Sequence, residues 1–163
     1  MNPTLRLFFV VALLWALELC LLPSIRLVRV LLFPLLLLLI FLGFQLSSVR
    51  FLWFYGMLIG LLRDLATGAF FGGFICTFGL VGWLLGAVRH LFEREDPLIQ
   101  GVWAGILTGV SCFVYGLFLI FADPAVGWNR WSWGVIPAAM VLNGGCAVWG
   151  FPRLQRFLRM TGR

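Results

Sequence analysis

The chain is a succession of apolar runs, each close to the length of a bilayer crossing, with only short polar breaks between them. A helix needs ~20 apolar residues to cross ~30 Å of hydrocarbon. Runs can be drawn at Leu5–Leu22, Val28–Phe44, Phe51–Ala66, Gly73–Val88, Val102–Phe121 and Trp133–Phe151. Six spans fill the 163 residues and leave no room for a soluble domain. Charged residues are 11% of the chain and mean hydropathy is +1.07, where a soluble domain carries ~25% charge. That excludes an ordinary soluble enzyme and a disordered chain. Four cysteines are too few for a disulfide-built secreted module. The expectation is an all-α polytopic membrane protein: one compact six-helix bundle over residues 1–163, with 152–163 as a tail.

Arginine placement predicts the orientation. All twelve cations are Arg and the formal net charge is +6. With six spans the termini share a side. That side takes Arg6, Arg50, Arg89, Arg94, Arg153, Arg156, Arg159 and Arg163, against Arg26, Arg29, Arg63 and Arg130 opposite. The bias places both termini in the cytoplasm and Trp128, Trp131 and Trp133 in an outer interfacial belt. Arg6 precedes an apolar run, but Glu18 interrupts it and no small-x-small cleavage site follows, so the segment reads as a retained span. Scattered arginines suit anionic lipid, and no basic patch with interleaved aromatics points to nucleic acid. Arg153, Arg156 and Arg159 recur every three residues, with Leu154, Phe157 and Leu158 on the other side. This fits a short interfacial amphipathic helix or a plain positive-inside anchor equally well.

Ionisable residues within spans are costly and mark candidate sites. Glu18 and Asp64 each lie thirteen residues into spans of the same direction, hence at similar depth. Arg63 is adjacent to Asp64 and faces elsewhere on a helix, so a Glu18–Arg63 contact is expected, with Asp64 turned to another partner. Snorkelling of both acids to the interface is the competing expectation. Gly56, Gly60, Asp64, Gly68 and Gly72 recur every four residues, a spacing that forms one helix ridge and admits a close neighbour. Gly101, Gly105 and Gly109, the pair Gly82 and Gly86, and Ala12 and Ala16 form further small-residue rows. Packing inside the bundle accounts for most of these; a partner interface is most plausible for Ala12 and Ala16, on an end span.

Catalytic chemistry has little to build on. His90 is the single histidine and lies in the charged stretch Arg89–Pro97. No Cys-x-x-Cys pair exists, and Cys20, Cys76, Cys112 and Cys146 read as small buried hydrophobes. No metal or cofactor is expected, and Glu93, Arg94, Glu95 and Asp96 read as a solvated turn.

The segment Gly60-Leu61-Leu62-Arg63-Asp64-Leu65-Ala66-Thr67-Gly68-Ala69-Phe70-Phe71-Gly72 resembles the signature of the MreD family of bacterial rod-shape proteins. The family's Gly-Leu-x-x-Asp run, followed by Gly and a further Gly four later, is met by Gly60, Leu61, Asp64, Gly68 and Gly72. Pro137 and Asn143 of the last span also look similar. Arg63 stands where an apolar residue is more usual. The resemblance implies a non-enzymatic scaffold of the cell-elongation machinery in the bacterial inner membrane. It would bind MreC and, through it, act with RodA, a class B penicillin-binding protein and MreB in peptidoglycan synthesis. The family's fold resembles the S components of energy-coupling-factor vitamin transporters, which supply the alternative reading. Ala12-Leu13-Leu14-Trp15-Ala16 looks like the Ala-x-x-x-Ala motif by which those subunits dock a membrane partner.

Overall fold

The computed structural model describes residues 9–16, 33–45, 51–67, 71–88, 96–122 and 134–159. Among the described residues every regular element is an α-helix. They are α1 (9–16), α2 (Pro34–Gln45), α3 (Leu52–Thr67), α4 (Gly73–Val88), α5 (Pro97–Ala122) and α6 (Val135–Arg159).

The centre is α2. Its sequence PLLLLLIFLGFQ is apolar on every side, and a helix of that kind is stable only when surrounded. Ten of its twelve residues are buried, and it packs against α3, α4, α5 and α6. Phe41 sits edge-on to Phe151 of α6, with ring centroids 5.4 Å apart.

Two antiparallel hairpins flank it, α3 with α4 and α5 with α6. Both are closed by glycine. A Cβ on Gly56 would overlap the Phe78 carbonyl, one on Gly60 the Phe74 carbonyl, and one on Gly82 the Leu52 carbonyl. In the second hairpin a Cβ on Gly101 would strike Val148, one on Gly105 would come 3.0 Å from the Met140 carbonyl, and one on Gly144 would come 2.9 Å from the Gly101 carbonyl. Backbone lies directly on backbone along both seams, the contact that small residues make possible between helices.

The helix bounds refine the expected runs. α3 and α4 fall where the apolar pattern places them. α5 starts at Pro97, five residues before Val102, because Asp96 caps it: its Oδ1 accepts from Leu98 N at 2.9 Å, and proline suits the first helical position. α6 does not stop at Phe151. It continues through Pro152 to Arg159, so the basic tail through Arg159 is the end of the last helix and not a separate interfacial one. Proline has no N–H to offer the Val148 carbonyl, a loss that membrane helices tolerate.

At ~1.5 Å per residue, α5 is ~39 Å long and α6 ~38 Å. Among the described residues two helices, Pro97–Ala122 and Val135–Phe157, are long and apolar enough to cross a membrane. α2 and α4 are apolar but shorter, at 12 and 16 residues.

The core is apolar, but it also encloses several polar groups, and large apolar side chains cover much of the outside. Arg63, Asp64, Thr77, Gln100, Thr108, Ser111 and Asn143 are buried, while Phe51, Trp53, Phe71, Trp83, Phe121 and Trp149 are exposed. The buried hydroxyls of Thr77 and Thr108 donate back to Gly73 O and Ala104 O, each at 2.7 Å.

Candidate functional site around Arg63 and Asp64

Asp64 stands near the C-terminal end of α3 and is 3% exposed. Its Oδ2 accepts from Gly72 N at 3.0 Å and Ile75 N at 3.1 Å, and its Oδ1 accepts from Phe74 N at 3.1 Å. Those donors belong to the start of α4. A helix leaves its first N–H groups without intrahelical acceptors, and its N-terminus favours negative charge. Asp64 therefore caps α4 from across the hairpin. The residue in the cap position itself, Gly72, has no side chain to do this. Its φ is +99°, a conformation L side chains rarely adopt, while a Cβ there would meet nothing within 4 Å. Glycine is required at 72 by backbone shape and not by space.

This arrangement divides the four-residue glycine row. Gly56, Gly60 and Asp64 share the α3 face turned to α4. Gly72 is not on that ridge, because α3 ends at Thr67 and Gly72 lies in the turn. Thr67, the last residue of α3, donates its hydroxyl to Arg63 O at 3.0 Å, as Thr77 and Thr108 do to their own helices. Gly68 lies outside the described residues.

Arg63 is buried to 4% exposure, and its guanidinium lies over aromatic rings. The carbon centre is 4.4 Å from the Phe33 centroid, 4.6 Å from Phe74 and 5.9 Å from Phe78. Ring faces attract cations, the more so away from water. Phe74 in turn stacks on Tyr115 of α5 at 4.1 Å and meets Phe78 edge-on at 5.7 Å. The cluster thus joins α3, α4, α5 and the residue before α2. Glu18, the expected partner of Arg63, lies outside the described residues.

Asn143 performs a second long-range cap. It is fully buried on α6, its Oδ1 accepts from Phe33 N at 3.0 Å, and its Nδ2 donates to Ala139 O at 2.8 Å. The sequence pattern drew attention to Asn143 only by likeness. The signal it carried was a lone amide in an apolar run, which must find backbone partners when buried.

The other sequence-selected positions lie apart from this cluster. Ala12 and Ala16 are exposed on α1, beside exposed Phe9 and Leu13. α1 is held to α3 by Trp15, whose Nε1 donates to Leu62 O at 3.1 Å. Arg153 and Arg156 are exposed on α6; Arg159 ends that helix, and its side chain lies outside the described residues. Among the described residues no group of three His, Cys, Asp or Glu converges as a metal site. Comparison with family models, with curated proteins and with solved structures finds no match.

Proposed function

We propose that this chain is a six-span, MreD-type scaffold of a bacterial inner membrane, non-enzymatic, with cytoplasmic termini, that binds MreC. One observation carries the proposal. The segment that bears the family resemblance, Gly60 to Gly72, is also the joint on which the bundle turns. Its Asp and its described glycines each do something physical there. Gly60 admits the α4 backbone, Asp64 caps α4, and Gly72 makes the turn. A signature whose members hold helices together suits a scaffold.

The apolar exterior supports the membrane setting. Exposed aromatic and aliphatic side chains suit lipid, while buried Arg63 and Asp64 find partners inside the bundle. A buried guanidinium calls for an anion. Glu18, at similar depth by sequence, is the proposed ion-pair partner of Arg63.

The proposed MreC-facing surface is Ala12 and Ala16 on α1, with RodA, a class B penicillin-binding protein and MreB reached through MreC. The test is co-purification from membranes. Wild type brings down a bitopic coiled-coil protein, and a double Ala12→Leu, Ala16→Leu change lowers its recovery while protein level holds. Recovery of an ATPase pair with a bound vitamin would replace the scaffold reading with the transporter one.

A further inference from the structure

We propose a binding site for one anionic phospholipid at the junction of α1, α2 and α6. An apolar pocket of about 260 Å³ opens there, lined among others by Leu14, Leu37, Leu38, Cys146, Gly150 and Leu154. It is larger than the ~150 Å³ apolar cavity that holds a benzene molecule, so it has room for a stretch of alkyl chain. Every lining residue is apolar, which excludes a polar or charged occupant of the pocket itself.

Charge decides the kind of lipid. Cys146, Gly150 and Arg153 are spaced four and then three apart, which places them along one ridge of α6. A chain lying in the pocket along Cys146 and Gly150 leads its headgroup to Arg153, one turn further on. Arg153 is exposed and already positioned. Its guanidinium lies 3.7 Å over the Trp149 ring, and Nη1 donates to Trp149 O at 2.8 Å. One N–H in that bond leaves the rest of the planar fork for a phosphate. Trp149, itself exposed, is the kind of amphipathic ring that prefers headgroup depth. Pocket, cation and interfacial ring thus follow the order of an anionic lipid from tail to head.

The inference rests on the membrane reading but not on the scaffold role. The full chain is reconstituted in nanodiscs of equal phosphatidylglycerol and phosphatidylcholine, extracted in mild detergent, and its retained lipid is measured by native mass spectrometry. Wild type retains phosphatidylglycerol over phosphatidylcholine by about fivefold, the effect of one arginine near a lipid surface. Arg153→Gln removes the preference, whereas Arg156→Gln keeps it. Gly150→Leu fills the pocket and lowers retention of both lipids; its Cβ starts in open space, with nothing within 4 Å. Equal retention of the two lipids by wild type overturns the proposal. So does an equal loss in the two arginine variants, which would mean diffuse surface charge. If Gly150→Leu fails to fold, the arginine comparison decides alone. Recovery of the chain in the soluble fraction without detergent would sink the membrane reading itself, a result distinct from unselective lipid retention by a detergent-dependent protein.

Discussion

Replacing Asp64 by leucine removes the acceptor for three N–H groups at the start of α4. The Phe74 N–H is buried, and those of Gly72 and Ile75 are partly so. An orphaned buried donor costs about 1–3 kcal/mol, and a lost helix cap typically about 1 kcal/mol. Taking ~2 kcal/mol for Phe74 and ~1 kcal/mol for each of the others gives a loss of about 4 kcal/mol. Asparagine keeps one acceptor oxygen but turns its amide hydrogens toward donors on the other side. Asp64→Asn should therefore lose about half, or ~2 kcal/mol. The assay is reversible unfolding in mixed micelles, followed by far-UV circular dichroism. The expected order of stability is wild type, then Asn, then Leu. An Asn variant as unstable as the Leu one would refute the bond count. A Leu variant within ~1 kcal/mol of wild type would refute the capping role altogether. In cells, Asp64→Leu should lower both protein level and MreC recovery. Normal level with an unchanged pull-down and cell shape would show that the joint is dispensable.

Gly60→Val should separate α3 from α4 and cost more than ~3 kcal/mol, since the obstacle is the Phe74 backbone, while Gly145→Ala, which meets nothing, should be neutral or raise stability by up to ~1 kcal/mol; the same micelle titration ranks them. Gly72→Ala should cost about 1–2 kcal/mol from backbone strain alone, with packing unchanged, and a neutral result would contradict the positive φ. For Glu18 and Arg63, charge reversal is a poor probe, because Phe33, Phe74 and Phe78 present faces that would repel a carboxylate at position 63. Glu18→Gln, Arg63→Gln and the double variant form the better cycle, with a coupling of about 1 kcal/mol or more expected and strict additivity ruling the pair out.

Much of the α3–α4 hairpin was legible because its signals are local. Four-residue glycine spacing marks a seam wherever a helix forms, and the apolar pattern bounded both helices within about a residue. Gly72 was misplaced on that seam because spacing alone cannot show where a helix ends. Gly72 lies in the described turn just before α4, and only its backbone angle reveals what it does. The Asn143 cap was illegible for a different reason. Its partner, Phe33 N, lies 110 residues away, and nothing in either neighbourhood encodes the other. The early start of α5 could have been read, since Asp96-Pro97 is a cap followed by a favoured first residue, but the charge of the surrounding stretch masks it.

The fate of the small-residue rows bears on where a partner can sit. Gly56 and Gly60 are closed by α4, Gly82 by α3, and Gly101 and Gly105 by α6. A helix that reached those glycines would have to displace part of the chain's own backbone contact. Ala12 and Ala16 differ, because they are exposed on α1, whose other face packs on the core through Val10, Leu14 and Trp15. Ala12 and Ala16 share an exposed apolar face with Phe9 and Leu13. Small residues on an exposed helix face permit the close approach by which helices associate in lipid. The glycine rows of α3, α4 and α5 are thus taken up inside the bundle, whereas the Ala12 and Ala16 row is the one whose members stay exposed, which is why the proposed partner surface is drawn there.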